Sequence, residues 1–130
     1  MGPLSDLFSL YELYLDNNKI ADVGPLSTLY LIHLNLTGNQ IVDVGPLGNL
    51  TKLEYLEISG NQISDISALS TLSNDLIDLR LQDNQIADLG PLSDLTGLAW
   101  LYLNNNQIVD LSPLSALTIL HSVRLQDNLI

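Results

Sequence analysis

One pattern recurs six times in this chain: a leucine, two variable residues, a leucine, one variable, a leucine, two variable, an asparagine, one variable and an isoleucine, with occasional aliphatic substitution. The copies open at Leu10, Leu31, Leu53, Leu76, Leu98 and Leu120, at intervals of 21, 22, 23, 22 and 22 residues. A period this short and this steady excludes an ordinary globule built around long-range contacts. It specifies a stack of similar coils, each resting on its neighbours.

Within a copy, the segment Leu13, Tyr14, Leu15 alternates apolar and variable residues, the two-residue period of a strand with one buried face. A strand this short cannot bury its apolar side alone. Coils stacked about 4.8 Å apart pair their backbones into a parallel sheet and merge their leucines into one core. The series Asn18, Asn39, Asn61, Asn84, Asn106 and Asn128 falls where the chain turns out of each strand. An amide there satisfies backbone groups that the curve leaves unpaired, each of which costs about 1–3 kcal/mol if buried without a partner. A second series, Asp22, Asp43, Asp65, Asp88 and Asp110, leads into Pro25, Pro46, Ala68, Pro91 and Pro113. Proline suits the first position of a helical turn and the preceding Gly or Ser can cap it, so a 3₁₀ or helical stretch is expected on the return path. Pro3 and Leu4 repeat this half-motif near the start. Stacked carboxylates invite a calcium reading, but aspartates bonding local backbone in Asx turns explain the spacing, and no metal or other cofactor is expected.

These residues resemble the leucine-rich repeat family. Segments such as LTGNQIVDVGPLGNLTK and LNNNQIVDLSPLSALT look most like the 22-residue internalin-type and phosphatase-regulator-type repeats. The expected fold is therefore an α/β-type repeat solenoid, mostly β with 3₁₀ and irregular segments. It would form a right-handed horseshoe with a short-stranded parallel sheet on the concave face. One domain is expected over 1–130, with a half repeat at 2–9, repeats at 10–30, 31–52, 53–75, 76–97 and 98–119, and a partial repeat at 120–130. Two irregularities fall in turns: Tyr30 alone separates Leu29 from Leu31, whereas Ser73, Asn74 and Asp75 separate Leu72 from Leu76. Surface loops should absorb both changes.

If the leucines face inward, the interleaved residues stand on the open sheet face in two columns. The first reads Glu12, His33, Tyr55, Asp78, Trp100, Ser122, and the second reads Tyr14, Asn35, Glu57, Arg80, Tyr102, Arg124. Four of the seven aromatic residues lie in these columns. Trp, Tyr and Arg are the types that most often dominate interface energetics. Tyr14, His33, Tyr55, Glu57, Asp78, Arg80, Trp100, Tyr102 and Arg124 are thus the candidate partner-binding residues. Arg80 and Arg124 are expected to flank Tyr102, and Glu57 to neighbour Arg80. Aromatics packing only on one another across strands is the alternative. With Asp16, Asp83 and Asp127 on the flanking loops, the face favours a basic or amphipathic protein partner.

The resemblance implies a non-enzymatic protein-interaction module. A competing reading is a self-assembling unit. Without evident polar caps, Leu4 and Leu7 at one end and Leu120, Val123, Leu125 and Ile130 at the other would associate with another copy, the alternatives being a piece of a longer repeat protein, a chain relying on minimal caps, or a monomer with frayed ends. Other functions find little support. Four basic against fifteen acidic residues give a net charge of −11, which repels nucleic acid and anionic lipid. The longest apolar run is the six residues Leu98 to Leu103, too short to span a bilayer. No secretory signal is visible in MGPLSDLFSL, and the compartment stays undetermined. There is no cysteine. His33 and His121 lie four coils apart, roughly 19 Å by strand spacing, and cannot act as a catalytic pair. Asn35-Leu36-Thr37 and Asn49-Leu50-Thr51 match the glycosylation acceptor pattern.

Overall fold

The computed structural model describes Leu4 and residues 6–130, so Pro3 of the opening half-motif and part of the expected 2–9 half repeat lie outside the described residues. Six three-residue strands are β1 (Glu12–Tyr14), β2 (His33–Asn35), β3 (Tyr55–Glu57), β4 (Asp78–Arg80), β5 (Trp100–Tyr102) and β6 (Ser122–Arg124). They form one parallel sheet in chain order. The register advances residue for residue: Leu13, Leu34, Leu56, Leu79, Leu101 and Val123 are mutual partners across the five pairings. The chain is a leucine-rich repeat solenoid with this sheet on its concave face.

Each strand's central residue points into the core. Leu34, Leu56, Leu79 and Leu101 are fully buried, and Leu36, Ile58, Leu81 and Leu103 join them one position after each strand. The outermost strands are covered on one side only, leaving Leu13 half-buried and Val123 exposed. Among the described residues no helix is long and apolar enough to cross a membrane.

The asparagine amides bridge successive coils. Asn84 Oδ1 accepts the Ile63 N–H at 3.1 Å, while its Nδ2 donates to Ile58 O at 3.1 Å and Leu81 O at 3.0 Å. Asn39, Asn61, Asn106 and Asn128 repeat this arrangement. Asn18 differs: it is exposed and donates only to Leu15 O and Asp16 O. Just before each asparagine the backbone enters the left-handed region, at Asn17, Gly38, Gly60, Asp83, Asn105 and Asp127 (φ 55° to 67°). Gly, Asn and Asp are the residue types that adopt it at least cost.

The return path carries 3₁₀ turns at Gly24–Leu26, Gly45–Asn49, Ser67–Thr71, Gly90–Leu92 and Ser112–Ala116. Their capping differs from the sequence expectation. Gly or Ser is the first residue of the turn itself, and the aspartate two residues earlier receives its N–H: Gly24 to Asp22, Gly45 to Asp43, Ser67 to Asp65, Gly90 to Asp88 and Ser112 to Asp110, at 2.7–2.8 Å. A carboxylate two positions back reaches that N–H, whereas a glycine has no side chain with which to cap. These bonds hold Asp65 and Asp110 below the ordinary carboxyl pKa. The Ser67 and Ser112 backbone N–H contribute most, their hydroxyls add to the effect, and slight desolvation opposes it.

The turn lengthened to Ser73–Asp75 lies at the surface, as expected, and is also held by the next coil. Asn74 Oδ1 accepts the Thr96 N–H at 3.1 Å, and a Cβ on Gly97 would collide with the Asn74 carbonyl oxygen. The extra residue is seated on the next coil, which leaves room there only for glycine.

Candidate functional site

The parallel register aligns the two variable columns across the sheet. Glu12, His33, Tyr55, Asp78, Trp100 and Ser122 are successive partners, as are Tyr14, Asn35, Glu57, Arg80, Tyr102 and Arg124. Two chemically distinct clusters emerge from this grid.

Over β1 to β3 the His33 ring stands between two tyrosines, with centroids 4.9 Å from Tyr14 and 5.6 Å from Tyr55. Its Nε2 is 3.3 Å from Glu57 Oε1 and its Nδ1 is 3.3 Å from the Tyr14 hydroxyl. A carboxylate only accepts, so Nε2 carries a proton toward Glu57. In the neutral ring Nδ1 then accepts from Tyr14, whose single proton is also sought by Glu12 at 3.3 Å. Partial burial, then the Glu12 carboxylate beside it and Glu57 beyond, push the Tyr14 hydroxyl above the ordinary tyrosine pKa.

Over β4 to β6 the Tyr102 ring lies between two guanidinium groups, Arg80 at 5.2 Å and Arg124 at 5.1 Å from its centroid. Trp100 stacks on His121 with centroids 5.8 Å apart and planes inclined by 24°. His121 lies outside the two columns, one residue before β6, and the alternation rule therefore did not flag it.

Between the clusters, Arg80 donates from Nε and from Nη2 to the two oxygens of Asp78, at 3.1 and 3.0 Å, and its Nη1 lies 3.6 Å from Glu57. The hydrogen bonds to Asp78 raise the Arg80 pKa most, against a smaller desolvation effect. Asp78, one of the expected partner-binding residues, has little free surface. It is only 8% exposed and its charge is engaged by its own strand neighbour two positions on. The other partner-binding candidates are half-buried or exposed.

The residues singled out for self-association divide differently. Leu4, Leu120 and Leu125 are partly buried against the core, whereas Leu7, Val123 and Ile130 are exposed at opposite ends of the stack. Of the glycosylation-pattern asparagines, Asn35 is half-buried and its Oδ1 receives the Thr37 N–H, while Asn49 is exposed. Among the described residues no three His, Cys, Asp or Glu side chains converge as a metal-binding group.

A repeat that places leucines inward, asparagines at the turn and a variable grid on a parallel sheet defines a class, and the comparisons agree with it. The model for leucine-rich repeats (two copies) matches residues 31–71 and 75–116, and the chain belongs to the leucine-rich repeat family. Its repeats are of the internalin type. An internalin, InlF, of Listeria monocytogenes is 40% identical with a TM-score of 0.93, covering 97% of this chain and 37% of that one. Internalin C2 of the same organism is 42% identical with a TM-score of 0.91, covering 94% and 54%. A leucine-rich repeat protein of Leptospira interrogans is 30% identical with a TM-score of 0.87, covering 100% and 35%. The chain thus spans between about a third and about half of these proteins. No curated protein sequence matches it. Leucine-rich repeat domains are in general protein-interaction modules, and the internalin-like proteins are typically non-enzymatic.

Proposed function

We propose that the chain binds a protein partner through its concave sheet face, without catalysis. The observation that carries this reading is the Arg80–Tyr102–Arg124 sandwich beside Trp100, a cluster of interface-favoured side chains on a sheet whose register is fixed by five strand pairings. Tyr14, His33 and Tyr55 extend the aromatic surface across β1 to β3. Arg80 is already engaged by Asp78 and Glu57, so Glu12 and the flanking Asp16, Asp83 and Asp127 leave the surface acidic, favouring a basic or amphipathic partner.

The test is affinity capture with the wild-type chain and with the double substitution Trp100→Ala, Tyr102→Ala, each verified as folded by circular dichroism. Selective loss of one captured protein from the double variant supports the reading, and equal capture by both chains overturns it. For that protein, an affinity unchanged between low and high ionic strength would remove the charge component.

A second reading, homo-oligomerisation through the ends, is favoured by the exposure of Leu7 and Phe8 at one end and Val123, Leu129 and Ile130 at the other. Light scattering at high micromolar concentration tests it, and a monomer there counts against it.

A further inference from the structure

A second surface, on the flank where the chain enters the strands, has the chemistry of a ligand site. A groove of about 410 Å³ is lined by Tyr11, Tyr30, Ile32, Lys52, Glu54 and Asp75. An adjoining hollow of about 230 Å³ shares Tyr30 and Lys52 and adds hydroxyl and amide groups from Thr28, Asn49 and Thr51. The two irregular turns shape the groove. The shortened turn presents Tyr30 and the lengthened turn presents Asp75, with the coil of Lys52 and Glu54 between them.

Its floor is rigid. The Ile32 and His33 N–H groups share the Tyr11 carbonyl, those of Glu54 and Tyr55 share the Ile32 carbonyl, and those of Ile77 and Asp78 share the Glu54 carbonyl, all at 2.8–3.1 Å. The wall at Asp75 belongs to the turn locked against Gly97. The side chains, in contrast, are uncommitted. Tyr11 and Tyr30 are 58% and 62% exposed, and neither hydroxyl bonds to a described residue. Lys52 and Glu54 form no ion pair among the described residues, and Asp75 takes only a bond from Ser73 in its own turn. On the concave face Arg80 is paired with Asp78 and Glu57, whereas Lys52, Glu54 and Asp75 line the groove without an ion pair among the described residues.

Two exposed aromatic rings offer flat apolar platforms with polar edges, and the groove supplies one ammonium donor and two carboxylate acceptors. The two carboxylates disfavour an anion, and Lys52 weakens the attraction for a simple cation. A neutral molecule carrying both C–H faces and many hydroxyls uses every group present. We propose that this flank groove binds a neutral saccharide, stacked on Tyr30 with Tyr11 beside it and hydrogen-bonded through its hydroxyls to Lys52, Glu54 and Asp75. The site is separate from the concave face and does not depend on a partner there.

The experiment is an amide-resolved NMR titration of the full chain with neutral disaccharides (cellobiose, maltose, lactose and chitobiose), with inorganic phosphate and lysine amide as charged probes. At least one disaccharide should give saturable shifts centred on Tyr11, Tyr30, Ile32 and Glu54, with a Kd on the order of 1 mM, or about −4 kcal/mol. Tyr30→Ala and Glu54→Gln should each weaken that binding at least about tenfold, and Tyr30→Phe, which keeps the ring, should weaken it less than Tyr30→Ala. Absence of saturable shifts with all four disaccharides overturns the proposal. So do shifts centred on the concave strands, shifts undiminished in Tyr30→Ala, or stronger response to phosphate or lysine amide than to any sugar.

Discussion

Replacing Asn84 with alanine removes one amide and disturbs two coils at once. Ile63, fully buried, loses the acceptor of its N–H, and the carbonyls of Ile58 and Leu81 each lose a donor. The Ile58 and Leu81 carbonyls still accept from Asn61 Nδ2 and Asn106 Nδ2, at 3.1 and 3.0 Å, so the Ile63 N–H is the group left unsatisfied, and at about 1–3 kcal/mol for such a group the expected loss is about 2 kcal/mol. With a urea m-value of about 2 kcal/mol/M the midpoint should fall by about 1 M. Asn18→Ala is the internal reference. Its amide is exposed and donates to only two local carbonyls, so that loss should stay under about 1 kcal/mol. Asn84→Asp sharpens the test. The substituted side chain keeps the acceptor for Ile63 but turns a carboxylate oxygen toward two carbonyls. Its folded-state pKa must therefore rise, and the variant should be most stable below the unfolded carboxyl value of about 3.9 and weaken as pH rises through the folded value. Urea unfolding followed by Trp100 fluorescence and far-ultraviolet circular dichroism measures all three. Equal losses for Asn84→Ala and Asn18→Ala, or an Asn84→Asp variant that gains stability as pH rises through that range, would refute the bridging role assigned to the amide.

Three other outcomes are expected. Gly97→Ala should cost about 1–3 kcal/mol, because its Cβ would collide with the Asn74 carbonyl oxygen, and deleting Asn74 in that background should recover most of the loss in a thermal melt. Arg80→Ala leaves the nearly buried Asp78 carboxylate without its two hydrogen bonds and should lower stability by about 1–2 kcal/mol, with a double-mutant cycle against Asp78→Ala revealing a coupling of similar size. Asp65 and Asp110 have depressed folded pKa values, so their contribution is complete above the unfolded value of about 3.9 and disappears as pH falls through the folded values. Asp65→Asn, Asp110→Asn should flatten the acid limb of the stability profile below about pH 4, and an unchanged limb would show that the two Asx turns do not carry it.

The period announced the coils, and alternation within Leu13, Tyr14, Leu15 announced which residues face inward, because both depend only on spacing along the chain. The left-handed positions carry a signal that spacing passes over: Asn17, Gly38, Gly60, Asp83, Asn105 and Asp127 form a column drawn entirely from the three residue types that tolerate that conformation. Spacing is silent on what a side chain does once it reaches a face. Asp78 occupies an outward position yet is covered by Arg80 folding back along its own strand, which depends on side-chain length and charge. His121 reaches Trp100 from outside the strand, and His33 lodges between Tyr14 and Tyr55, contacts that require three neighbouring coils at once. The lengthened turn was visible as an irregularity, but its seat on Gly97 depends on the path of a backbone one coil away.

The unbroken alignment of Leu13 through Val123 has an evolutionary corollary. Gain or loss of a whole coil leaves every remaining inward residue inward, while a single-residue change inside a strand would turn it over. Lineages carrying such a chain can lengthen, shorten or shuffle it in quanta, rewriting the outward mosaic one row at a time while the hydrophobic spine stays in phase.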